Sequence, residues 1–201
     1  MLDINAENVL RVFRSASESE LHEGEVWYQT AHTFALGMVK RYGITLQQAA
    51  GVIAALSPQL AWDKNVQAAD ELCRTGDATA VLGLSKSKAL RILAGESVES
   101  VLACAQCKRD SSRSHSCTGQ KVRNFYACIL DPADSFAVCI DRHAFDVANG
   151  CVGNETSRKA LDRKGMYETV ADVYRQAALI LGVNASVVQA VTWVAWRNAK
   201  R

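Results

Sequence analysis

Residues 118–150 read TGQKVRNFYACILDPADSFAVCIDRHAFDVANG, and they hold the residue types on which chemistry could rest. Thr118-Gly119 makes a tight turn that opens onto a predicted helix, Gln120–Leu130. The first N–H groups of a helix point outward unpaired and its dipole favours an anion there, while glycine lets a phosphate approach the backbone closely. Lys121 falls in the first turn of that helix and Arg123 just beyond it. An apolar stretch, Phe136–Ile140, then delivers Asp141-Arg142-His143. An acid emerging from an apolar run at a helix start is either an N-cap or a catalytic carboxylate, and local chemistry leaves both open. His143 reads as a core or supporting histidine rather than a base.

A second cluster has metal-capable residue types: Cys104-x2-Cys107, followed by His115 and Cys117. Structural zinc would use such a set, but His115 and Cys117 stand only two apart, which is awkward for closing one tetrahedron. The expectation is free thiols and no metal or other cofactor. The seven cysteines (73, 104, 107, 117, 128, 139 and 151) are too widely spaced for a small disulfide scaffold and suit a reducing compartment. The amino terminus carries Asp3 and Glu7 where a signal peptide would have a basic start and an apolar core. A cytoplasmic, monomeric protein with no membrane partner is expected.

Positioning these residues falls to helices. With 201 residues, 49% hydrophobic and only two prolines, the chain can bury one sizeable core or two small lobes sharing a cleft, and disorder is excluded. Thr45-Leu46-Gln47-Gln48 is a capping box before the apolar run through Val52, Ile53 and Leu56, which Ser57-Pro58 stops. A helix follows from about Trp62 to Cys73, with Asp63 as its expected cap. Ser85 is expected to cap Lys86–Ala94, and Ser97 to cap Val98–Ala105. Two helices close the chain: Tyr167–Leu181, ended by Gly182, and one capped by Asn184 that runs to about Asn198. Phe136–Ile140 reads as a buried extended connection, so the fold class is all-α.

The formal net charge of +2 names no partner, but its distribution is uneven. Residues 1–25 hold six acids against two bases, whereas residues 101–125 hold five bases (Lys108, Arg109, Arg113, Lys121, Arg123) against Asp110. A local basic patch of this kind suits either a phosphate binder or a solvated loop.

Four landmarks occur in one order over residues 50–150. Ala55-Leu56-Ser57-Pro58-Gln59 precedes Asp63-Lys64-Asn65-Val66, then come Ser85-Lys86-Ser87-Lys88-Ala89, Gly119-Gln120-Lys121-Val122 and Ile140-Asp141-Arg142-His143-Ala144. Together they resemble the helix-hairpin-helix DNA glycosylase superfamily (endonuclease III-like). Departures exist: Cys117 stands where the hairpin's first glycine would be, Arg142 replaces the usual threonine, and no C-terminal four-cysteine motif is present, so no iron–sulfur cluster is implied.

The resemblance implies a single domain of two helical lobes with the active-site cleft between them. Lobe A would span about 45–150, and lobe B would combine about 1–44 with 151–201. It also implies duplex DNA with a modified or damaged base as partner, and extrusion of one nucleotide. Asp141 would stabilise positive charge developing at C1′, and Lys121 would be the amine of a glycosylase/lyase. DNA contacts would come from Thr118, Gly119, Gln120, Arg123, Arg142 and the loop carrying Lys108, Arg109 and Arg113. Gln59 would plug the gap left by the base or be a surface turn residue. Trp62, with Asp63 and His143 the other pocket candidates, would stack on a base or anchor its helix. Two alternatives stay open: a phage-type enzyme that hypermodifies DNA bases on the same fold, and a non-catalytic DNA-binding protein.

Overall fold

A computed structural model describes residues 2–103 and 119–199. Those residues form α-helices joined by short turns, with no strand among them. In chain order the helices are α1 (Ala6–Ser15), α2 (Glu18–Glu25), α3 (Trp27–Tyr42), α4 (Leu46–Leu56), α5 (Trp62–Thr75), α6 (Gly83–Leu93) and α7 (Val98–Leu102). After the undescribed residues come α8 (Gln120–Leu130), α9 (Arg142–Ala148), α10 (Glu155–Arg158), a 3-10 turn (Lys159–Asp162), α11 (Met166–Leu181) and α12 (Ala185–Asn198).

Local chemistry accounts for most of these boundaries. The Thr45 hydroxyl accepts from the Gln48 N–H at 3.1 Å while Gln48 Oε1 accepts from the Thr45 N–H at 2.9 Å, so α4 starts on the capping box its sequence encodes. Ser97 accepts from the Ser100 N–H at the start of α7, and Gly182 closes α11 in the left-handed region at φ 69°. Three expected caps differ. Helix α5 begins one residue before Asp63, with Ala61 as its cap residue, which leaves Asp63 exposed in the first turn, where the dipole still favours its charge. Helix α6 begins at Gly83, and Ser85 is buried inside it because that face packs on α4. Asn184 sits at the N-cap of α12, but its amide donates to the Ala133 carbonyl at 3.4 Å instead of capping.

The apolar interior forms two clusters. The first gathers α3 to α8 around α4, in which every residue from Ala49 to Leu56 is buried. The second joins α1, Val138 and Ile140, α9 and α11 to α12. Helix α12 serves both, with Ala190 in the first cluster and Val188 and Ala195 in the second. Helix α3 thus packs with the first cluster and residues 138–148 with the second, so the clusters do not follow a boundary at 45 or 150. Gly24 allows α2 to lie directly on α12, since a Cβ there would stand 2.4 Å from the Val191 Cα.

Of the Phe136–Ile140 connection, residues 137–140 are buried and belong to no helix or strand, whereas Phe136 is exposed, contrary to the buried reading, and side chains supply the partners that a strand would. The Tyr167 hydroxyl donates to the Val138 carbonyl at 2.7 Å and accepts from the Ile140 N–H at 3.0 Å. A buried backbone requires such satisfaction. Among the described residues no single helix is long and apolar enough to cross a membrane, and α11 with α12 reach that apolarity only as a pair bent by 100°.

Candidate functional site

Lys121, from the first turn of α8, and Asp141, immediately before α9, line one cavity of about 330 Å³. Their juxtaposition follows from the extended segment between them. Burial pushes the Cys139 thiol up to about 12, so it stays protonated, and it donates to the Lys121 carbonyl at 3.6 Å. Two residues further on, the chain turns into α9.

Asp141 is the N-cap of α9. Its Oδ1 accepts from the N–H groups of His143 and Ala144, each at 2.8 Å. Oδ2 takes no hydrogen bond among the described residues, and the half-buried carboxylate faces the cavity. Cap and cavity wall are therefore one residue. Lys121 is exposed and its amine has no ion pair among the described residues, as is also true of Arg123 and Arg142.

The cavity walls are aromatic. Trp27 and Trp62 stand with ring centroids 4.8 Å apart, and Phe125 and Trp193 lie 6.1 and 6.2 Å from Trp27. Trp62 both anchors α5, against Trp27 and Phe34, and faces the cavity. Arg197 closes one side, its guanidinium 4.3 Å from the Trp193 ring and 3.3 Å from Glu23. The floor is polar. Tyr28, whose phenol burial holds well above its ordinary range, donates to Gln189 Oε1 at 2.8 Å, and Asn65 also lines the cavity.

Gln59 adjoins this cavity in the turn Ser57-Pro58-Gln59-Leu60, closed by the Leu60 N–H donating to the Ser57 carbonyl at 3.2 Å. Gln59 adopts φ 65° and is the one non-glycine residue with positive φ among the described residues. Pro58 before it sets the first corner of a type II-like turn, whose second corner normally takes glycine or asparagine. The side chain is exposed.

Several expected site residues sit elsewhere. Asp63 and His143 do not line the cavity: Asp63 faces solvent from α5, and the His143 N–H is taken by the Asp141 cap. Arg142 is exposed on the first turn of α9, outside the lining. Gly119 holds the left-handed conformation at φ 66° before α8, and its carbonyl accepts from the Arg123 N–H at 3.0 Å. The Gln120 amide is engaged with Glu168 at 2.9 Å, which places an acid beside the start of α8. Thr118, Lys108, Arg109 and Arg113 lie outside the described residues, as do Cys104, Cys107, His115 and Cys117 of the zinc-capable set. Among the described residues no group of three or more His, Cys, Asp or Glu could hold a metal ion.

Conversely, Tyr28, Asn65, Phe125, Gln189, Trp193 and Arg197 are cavity residues that sequence reasoning did not assign to a site. A signal was present: Gln189, Trp193 and Arg197 recur every four residues on α12, as do Lys121 and Phe125 on α8, so each set shares one helix face.

The site thus belongs to an all-helical protein that sets an amine and a carboxylate at an aromatic, polar-floored cavity. The chain belongs to a family of unknown function, DUF7178, which it matches over residues 2–200. No curated protein and no solved structure matches it.

Proposed function

We propose that the chain is a DNA glycosylase-like enzyme that accepts an extruded nucleotide in this cavity and cleaves its N-glycosidic bond, with lyase activity through Lys121. The observation that carries the reading is that Lys121 and Asp141, twenty residues apart in sequence, line the same aromatic-walled cavity. On this reading the two apolar clusters are two lobes, with the cavity as the cleft between them. Gly119 and the start of α8 are the end of a helix-hairpin-helix and hold a DNA phosphate at unpaired N–H groups.

An extruded base would stack against the aromatic walls while its sugar meets Asp141 at the mouth. As the C1′–N bond breaks, the base leaves with the bonding pair and positive charge grows at C1′. The Asp141 carboxylate opposes that charge in partly dehydrated surroundings, where attraction is strongest. The Lys121 amine forms a bond to C1′, loses a proton, and with ring opening becomes an imine from which the 3′-phosphate is lost by β-elimination. Gln59, held at φ 65° beside the cavity, would fill the gap in the base stack.

Borohydride trapping tests this on duplexes carrying abasic, uracil, oxidised, alkylated or hypermodified pyrimidine sites. A covalent adduct is expected that disappears in Lys121→Ala. Base release without an adduct, abolished by Asp141→Asn, would make the enzyme a monofunctional glycosylase. Neither adduct nor release on any duplex would overturn the glycosylase reading and favour base modification or simple DNA binding.

A further inference from the structure

Arg197 lines the cavity from the last turn of α12, and little of its hydrogen-bonding capacity is used. A guanidinium carries five N–H donors in a planar fork. Here Nη2 donates to Glu23 Oε1 at 3.3 Å, and Nη1 makes no hydrogen bond among the described residues. The side chain is nonetheless held in place. Trp193, one turn earlier on the same helix face, has its ring centre 4.3 Å from the guanidinium carbon.

The ion pair to Glu23 is a weak hold on this fork. It is a single contact between side chains that keep 35% and 50% of their exposure, so water and salt screen it. Neither Arg197 nor Lys121 pairs with Asp141 among the described residues, which leaves two cations and one carboxylate at the cavity. An arginine in a last turn also suits the helix dipole, and a strut from α12 to α2 would account for the Glu23 contact. Neither role calls for an open fork at the cavity. We infer that Arg197 grips a backbone phosphodiester beside the extruded nucleotide, exchanging Glu23 for the phosphate. A phosphodiester offers two non-bridging oxygens that a guanidinium can bond in parallel, so the exchange replaces one contact by two. The inference rests on the proposed function in taking the anion to be DNA. An extruded nucleotide stays joined to its strand through a phosphate on each side. The start of α8 takes one phosphate on that reading, and Arg197, from a different helix, takes another.

The test is binding of the full chain to a duplex carrying a tetrahydrofuran abasic analogue, which offers the strand without a reactive C1′. Affinity is measured between about 50 and 200 mM salt, where each phosphate contact adds about one to the slope of log affinity against log salt. Arg197→Met keeps the apolar stem, and it should lower that slope by about one and weaken binding about tenfold. Single methylphosphonates, each removing the charge of one phosphate, are then walked along the strand on both sides of the analogue. At one position the replacement should weaken wild type about tenfold and leave Arg197→Met unchanged, a coupling that a structural arginine would not show. Glu23→Gln should bind about threefold more tightly, because the competing carboxylate is gone. If Arg197→Met lacks a cooperative thermal transition, Arg197→Lys decides. It keeps the charge without the fork, so the penalty at that position should shrink about threefold or more. The inference is overturned if no position couples to Arg197, if the slope is unchanged in folded Arg197→Met, or if Glu23→Gln binds more weakly than wild type. Borohydride trapping on an abasic duplex reads the chemistry separately. An adduct from a chain whose Arg197 variants bind as wild type does overturns only the phosphate grip, and coupling at Arg197 without adduct or release overturns only the glycosylase chemistry.

Discussion

The Cys139 thiol donates to the Lys121 carbonyl at 3.6 Å, which ties the extended chain leading to Asp141 onto the first turn of α8. One residue on either side of Cys139, the Tyr167 hydroxyl bridges Val138 and Ile140. The path from amine to carboxylate is therefore held by a buried thiol and a buried phenol, not by a strand partner. Burial raises both groups, so each remains a donor at neutral pH.

Because Asp141 is both cap and cavity wall, two substitutions separate its roles. Asparagine caps a helix about as well as aspartate, so Asp141→Asn should fold with a stability within about 0.5 kcal/mol of wild type. It lacks the charge that opposes positive C1′, and base release or trapping should fall by about 100-fold or more. Asp141→Ala should lose the same activity and also about 1 kcal/mol of stability, because the His143 and Ala144 N–H groups lose their acceptor. Urea unfolding together with a glycosylase assay reads both. An Asn variant as destabilised as the Ala variant would show that the charge, not the cap, holds this corner.

Gln59 gives a case where stability and function should move in opposite directions. A non-glycine residue in the left-handed region costs about 1–2 kcal/mol, against about 0.5–1 kcal/mol for the extra entropy glycine loses on folding. Gln59→Gly should therefore raise stability by up to about 1 kcal/mol in thermal unfolding. If the side chain fills the base stack, trapping should drop on duplexes that must extrude a base and change less on an abasic duplex. Equal trapping on all duplexes would reduce Gln59 to a turn residue.

Helix caps were legible in the sequence wherever one residue decides them: Thr45 with Gln48, Ser97, and Gly182. They were misread at Asp63 and Ser85, where residue type favoured a cap but packing started the helix earlier, Trp62 against Trp27 and Ser85 beneath α4. Lys121 and Asp141 stood out through their motifs. The polar floor did not, because Tyr28, Asn65 and Gln189 come from α3, α5 and α12 and meet only after packing. Periodicity marks a buried face, and it cannot tell which buried faces will meet.

The buried thiols and phenols set the alkaline limit of the fold. In an unfolded chain Cys139 ionises near its ordinary value of about 8.5, whereas burial raises it to about 12 in the folded protein. Below about pH 8 both states carry the protonated thiol, and the contribution to stability is fully present. Above that value the unfolded chain releases a proton that the folded chain retains, so the folded state binds more protons and stability falls as pH rises. The loss runs at about 1.4 kcal/mol per pH unit for each such group and continues until the folded value is reached. Cys73, raised to about 11, and Tyr126, raised to about 12, act in the same direction. Urea unfolding at pH 7, 9 and 10 should show little change up to about pH 8 and a steep decline beyond. Cys139→Ala should start less stable, since it loses the thiol's bond to the Lys121 carbonyl and the packing of a buried sulfur, yet lose about 1 kcal/mol less than wild type between pH 9 and 10. Equal losses in the two proteins would mean that the thiol already ionises in the folded state, and that the link from Cys139 to Lys121 is not held by a proton.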